Sequence, residues 1–185
     1  MSGVIQFPVE KAEGICSKII TFTSQTPEVI DSMAMGLSEE ELHRRPVPDQ
    51  WCIVELVCHL ADIDTLVLRG RIHAMLEKER ANLSSIDPNA LAEKNRYIKR
   101  TFAEAMAGFR NARRESLSAV QQVSPEDWNR VGLHPRFGEV SLGSWIVAWF
   151  FHDASHLRQL LNRRIHLFRE WVGGYEAGYA DDLRL

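Results

Sequence analysis

Between Cys52 and Glu77 the apolar residues Ile53, Leu56, Val57, Leu60, Ile63 and Val67 recur at intervals of three and four, which puts them on one face of a helix about seven turns long. An amphipathic helix of that length is stable in water only when its apolar stripe is covered. The cover has to come from comparable elements, and the rest of the chain supplies helical patterns. Thr26-Pro27-Glu28 has the form of an N-cap followed by proline at the first helical position, so a helix is expected from there to Met35, with a start near Val9 as the alternative. Ser38-Glu39-Glu40-Glu41 matches the capping box of a short turn. Asp87-Pro88 opens a helical region expected to run through Tyr97, Phe102, Met106, Phe109 and Leu117 to about Val123.

Ser124-Pro125-Glu126-Asp127 caps another short turn carrying Trp128, and the following Gly132, His134, Pro135 and Gly138 read as a loop with a brief extended piece at Glu139 and Val140. Ser141 then caps a last helix, expected from Leu142 to about Arg164. The fold class is therefore all-α, a four-helix bundle with one or more long connections. Residues 1–185 read as one domain, with a core at about 20–165 and a tail at 166–185 that packs on the bundle or on a partner subunit.

Charge and cysteine usage narrow the function. Twenty-two Lys and Arg against 25 Asp and Glu leave a net charge of -3, which gives no global field for nucleic acid or an anionic membrane. The longest nearly apolar run, Leu142 to Phe151, is half of the ~20 residues that a bilayer crossing needs. The N-terminus lacks the basic start and apolar centre of a secretory signal, so a cytoplasmic location is the expectation. Cys16, Cys52 and Cys58 form no CxxC and read as free, mostly buried thiols.

The sharpest chemical pattern is His152-Asp153-Ala154-Ser155-His156. Two imidazoles four residues apart in a helix share a face one turn apart and can grip one metal ion. The Glu that follows the first His in HExxH proteases is missing, so that chemistry is not indicated. Trp145, Trp149, His152, His156 and Gln159 follow intervals of 4, 3, 4 and 3, so the histidines continue an aromatic seam on the inward face. Hydrogen-bonded structural histidines would show the same pattern. On the earlier helix Glu55, His59, Asp62, Leu66 and Arg69 form a polar stripe. It reads either as a solvated surface or as a face that aims His59 at the later pair, with Asp62 or Glu55 orienting an imidazole. His43 and His166 read as surface, His73 as a residue of the polar stripe too far from His59 to ligate the same ion, His134 as a loop residue, and Asp153, one position off the ligand face, as a solvated or structural carboxylate.

Trp51, Glu55 and His59-Leu60-Ala61-Asp62-Ile63-Asp64, with Arg71-Ile72 and Met75 downstream, resemble the second-helix signature of the DinB-like (DinB/YfiT) superfamily. His134-Pro135, Phe137-Gly138, Ser141-Leu142, His152-Asp153, His156-Leu157 and Gln159 resemble the same superfamily's run into its last helix. The likeness covers roughly residues 20 to 165. Cys52 stands where a Ser or Thr N-cap is common, and Asp64 where Glu is frequent. The resemblance implies a bundle with a long crossover, often a homodimer, and a divalent metal held by His59, His152 and His156.

Three neutral imidazoles leave a coordination position open for water or a thiol. Zinc is the first expectation, with nickel or iron as alternatives that imidazole also suits. Characterised branches of the superfamily use small thiols, so the resemblance implies a metal-dependent enzyme that activates a low-molecular-weight thiol toward a small-molecule substrate, as in an S-transferase or another detoxifying reaction. Two other readings stand beside it. One is metal-assisted hydrolysis, which would need a carboxylate such as Glu55 as general base. The other is a non-catalytic, stress-linked metal-binding module.

Overall fold

Four long helical elements make the bundle in this computed structural model, which describes residues 4–172. The first, α1, spans Val9–Ala34, so the earlier of the two expected starts holds. Pro27 lies inside it rather than at its first turn. A proline has no N–H to give the carbonyl four residues back. That carbonyl belongs to Thr23, and it accepts instead from Nη1 of Arg113 at 2.7 Å. Thr26, expected to cap, donates its hydroxyl to Asp153. The helix therefore tolerates Pro27 because another helix satisfies the group that it orphans.

The short α2, Glu39–Leu42, carries the capping box of Ser38 and Glu41. The central element is α3, Ile53–Asp62, continued by a π-helical segment, Ile63–Arg69, and by α4, Gly70–Glu77. The residues that join the three pieces are all right-handed helical, so the expected single long helix is present with a middle underwound to π. Such a bulge shifts the facing of everything beyond it.

The next region is broken where one helix was expected. It consists of α5, Pro88–Lys94, a 3-10 turn at Tyr97–Lys99, and α6, Phe102–Gln121. Arg96 adopts a left-handed conformation, and Thr101 with Glu104 forms a capping box that restarts the helix. The Thr-x-x-Glu signal was in the sequence. A second departure follows the 3-10 turn of Pro125–Asn129. Here β2, Val131–His134, and β3, Gly138–Ser141, pair antiparallel, and β2 also pairs parallel with β1, Ala81–Asn82. The last helix, α7, runs Leu142–Val172, beyond the expected end near Arg164. The expected tail thus begins as helix, and its remaining residues, 173–185, lie outside the described part.

In the bundle α3 packs on α6, α1 on α7 and on α6, and α3 on α7. Two apolar clusters form the core. One gathers Ile30, Leu56, Leu60, Phe109 and Leu160, and the other Leu68, Ile72, Trp128, Ile146 and Trp149. Along both the central helix and α7 a buried carboxylate lies between these clusters: Asp64 between Leu60 and Leu68, and Asp153 between Trp149 and Leu160. Among the described residues no helix is long and apolar enough to cross a membrane.

Candidate metal centre

The bundle closes the gap between two distant helices. His59 Nε2 lies 3.3 Å from His152 Nε2, and His152 Nε2 lies 3.1 Å from His156 Nε2. Residues 93 positions apart in the chain thus present one ligand atom each to a common point. The arrangement is enclosed. His59 is 5% exposed, with its ring 4.9 Å from the ring of Trp51. Burial, reinforced by His156, pushes the pKa of His59 down to about 3. Burial and the neighbouring His156, His59 and Arg113 push that of His152 to about 2. Burial also lowers His156, against the opposing effects of Gln159 and Asp153. All three rings are neutral at pH 7.

Neutral imidazoles suit a cation. Gln159 Oε1 faces Nδ1 of His156 at 3.0 Å, so that nitrogen carries the hydrogen and Nε2 is left with its lone pair. Ligand nitrogens around a tetrahedral zinc, 2.0–2.1 Å from the ion, are about 3.3–3.4 Å apart. The separations of 3.3 and 3.1 Å are close to that spacing, and the ligand atoms of all three residues lie within 4.8 Å of one another. The residues fit a divalent ion.

The carboxylates expected to orient these rings do not. Glu55 accepts from Nε of Arg45 at 2.9 Å and from the backbone N–H of Cys52 at 3.0 Å. Burial opposes its charge, but Arg45 and Cys52 prevail and hold its carboxyl below the usual range. It is a helix cap. Asp62 accepts from the Tyr97 hydroxyl and from Asn95 Nδ2 at 2.7 Å. Both acids bond outward from the stripe, and Nδ1 of His59 and of His152 is buried without a hydrogen-bond partner. These two rings are held by packing.

A different polar group supports the site. Arg113, 1% exposed, donates from Nε and Nη2 to Asp64 and from Nη1 and Nη2 to Asp153, in addition to Thr23. All five of its N–H groups have acceptors. Asp64 also accepts from Trp149 Nε1 at 2.9 Å, and Asp153 from Thr26. Burial raises the Asp64 pKa against the pull of Arg113. Asp153 is thus fully buried rather than solvated, and it anchors α7 directly beside His152. Sequence reading missed Arg113 because nothing local marks an arginine on α6 as buried. Cys52 and Cys58 are buried free thiols, as expected, whereas Cys16 is only partly buried. Burial pushes Cys52 and Cys58 up to about 12, and neither joins the histidine cluster.

The imidazoles open onto a cavity of about 330 Å³. His59 and His152 line one part, Val67, Leu68, Leu91, Trp145 and Trp149 the apolar walls, and Arg71, His134 and Arg136 another part. Trp145 and Trp149 therefore face a void as well as the core. His134, expected in a loop, ends β2 instead; it is 7% exposed and belongs to this wall.

The site is thus a cluster of one histidine from the central helix and two from the last helix of a helical bundle. Residues 23–160 match the family model described as the DinB superfamily, and the chain belongs to that family. A Bacillus subtilis (strain 168) relative, "Uncharacterized protein YuaE", is 30% identical over 139 residues, covering 68% of this chain and 84% of its own. The Oceanobacillus iheyensis protein "Putative metal-dependent hydrolase OB0782" is 23% identical over 163 residues, covering 85% and 91%. Among solved structures, YfiT of Bacillus subtilis, described as "a probable metal-dependent hydrolase with an unusual four-helix bundle topology", superposes with a TM-score of 0.74 at 15% identity, over 92% of this chain and 93% of that one.

Proposed function

We propose that the chain is a metal-dependent enzyme in which Nε2 of His59, His152 and His156 holds a divalent ion, zinc first, and that it activates a small thiol for attack on an electrophile in the adjoining cavity. Bound there, a divalent cation supplies Lewis acidity that draws the pKa of a water or thiol at its open position toward neutrality. The observation that carries the thiol reading is that, among the described residues, the carboxylates near the histidines are engaged. Glu55 is taken by Arg45 and Cys52, Asp62 by Tyr97 and Asn95, and Asp64 and Asp153 by Arg113. None is free to act as the general base that hydrolysis commonly uses. A thiol starts from a pKa of about 8.5 and has little distance to fall. The protein's part is to keep the imidazoles neutral, wall the cavity with Trp145 and Trp149, and exclude bulk water.

Hydrolysis is the second reading, favoured by the descriptions carried by OB0782 and YfiT. One experiment separates the two: elemental analysis of the freshly purified chain, followed by turnover of 1-chloro-2,4-dinitrobenzene with cysteine or coenzyme A and of 4-nitrophenyl acetate without a thiol. Thioether formation that is lost in His152→Ala supports the proposal. Ester cleavage without thiol, lost in the same variant, supports hydrolysis. A purified protein that neither contains nor takes up a divalent ion refutes both.

A further inference from the structure

The cavity beside the histidines has a second chemical feature that the proposed reaction does not use. Arg71 sits in its wall and is 7% exposed, with its guanidinium carbon 4.0 Å from the centre of the Trp145 ring. Its hydrogen bond to the protein runs from Nη2 to the carbonyl of Ser84 at 2.6 Å. Among the described residues no carboxylate lies within ion-pair distance of it. Other arginines are matched: Arg45 with Glu55, Arg69 with Glu115, Arg80 with Glu139, Arg110 with Asp31, and Arg113 with two aspartates. A buried guanidinium without a counter-charge carries a desolvation cost that an anion would relieve. Its planar fork offers donors in the spacing that a carboxylate accepts.

The neighbouring groups have the same polarity. His134 Nδ1 accepts from the backbone N–H groups of Arg136 and Phe137 at 3.1 and 3.3 Å, which places the ring hydrogen on Nε2 as a donor. Burial, with Arg71 and Arg136 nearby, lowers its pKa, so the ring is neutral. Arg136 adds a second, exposed guanidinium from the turn between β2 and β3. Among the described residues no acid lines this cavity. Its lining thus combines the donors and positive charge of Arg71, His134 and Arg136 with apolar walls and the imidazoles of His59 and His152.

We infer that Arg71, assisted by His134 and Arg136, is an anion subsite that binds the carboxylate of a small acid with an apolar body, so directing the substrate's other end toward His59 and His152. The direction of binding rests on the metal-centre reading above; the anion subsite does not. A monoanionic carboxylate is preferred to a phosphate because only one of the two guanidiniums is buried and unscreened.

The test is calorimetric titration of the full chain with 3-phenylpropanoate, its neutral analogue 3-phenylpropanamide, and 2-phenylethyl phosphate. The acid should bind at least about tenfold more tightly than the amide and more tightly than the phosphate. The same preference should persist in the His152→Ala, His156→Ala double variant, where a carboxylate has no cation to ligate. It should disappear in Arg71→Met and survive in part in Arg71→Lys. Equal binding of acid and amide by the wild-type chain, no measurable binding of either, or a tighter phosphate would overturn the proposal whether or not the Arg71 variants fold. So would a preference kept by folded Arg71→Met or lost in the double histidine variant. A wild-type protein that neither contains nor takes up a divalent ion, yet still prefers the acid, would sink the metal centre and leave the anion subsite standing.

Discussion

Replacing Arg113 with methionine removes a cation from between two buried carboxylates. Arg113, Asp64 and Asp153 are each no more than 1% exposed, and the guanidinium makes five hydrogen bonds, four to the aspartates and one to Thr23. Methionine fills much of the same volume but offers no donor. It leaves two aspartates without their main partner and returns the Thr23 carbonyl, already deprived by Pro27, to an unsatisfied state. Breaking a buried pair by deleting one member costs about 3–5 kcal/mol. For a chain of this size each kcal/mol moves Tm by about 2–4 °C, so a drop of roughly 6–20 °C is expected. Thermal unfolding followed by circular dichroism gives the shift. Adding Asp64→Asn and Asp153→Asn to Arg113→Met should recover part of the loss, because the uncompensated charges go with it. A single variant within about 2 °C of wild type, or a triple variant less stable than the single, would refute the account of this network as a mutually dependent charge cluster.

Two further outcomes follow from the site. With a chelator present, unfolded imidazoles titrate near 6.5 while His59 and His152 titrate at about 3 and about 2 in the folded chain. The unfolded state then binds more protons between those values, so their contribution is complete above about pH 6.5 and falls as the pH drops, by on the order of 1.4 kcal/mol per pH unit for each ring. Urea unfolding from pH 5 to 6 should give a slope smaller by about that amount in His152→Leu, and an unchanged slope would contradict burial of a neutral ring. Glu55→Gln should cost about 1–2 kcal/mol through the loss of the charged cap on Cys52 and of the Arg45 pair, with the metal content measured by elemental analysis unchanged. A loss of metal in that variant would return Glu55 to the expected role of orienting an imidazole.

The amino-acid sequence by itself determined the elements that local physics controls. Apolar intervals of three and four marked the central helix, and Ser38, Ser124 and Ser141 marked helix starts that the structure keeps. The two histidines of α7 were legible as a pair because four residues of helix put them on one face whatever surrounds them. Their partner His59 was reached through family resemblance, since spacing alone left its stripe open to a solvated reading.

Tertiary structure decided what depends on atoms brought from afar. Pro27 stays inside a helix because Arg113 takes the carbonyl it orphans. Glu55 and Asp62 sit on the expected face but bond to Arg45, Tyr97 and Asn95 instead of an imidazole. His134 and Arg71 become cavity walls only when the hairpin and the central helix enclose one space with Trp145. A side chain's period tells which way it faces on its own helix. Whether it meets water, a counter-charge or an empty volume is set by the neighbour that arrives, and for the bonds that join Asp64, Arg113, Asp153 and Trp149 that neighbour is 40 to 85 residues away in the chain.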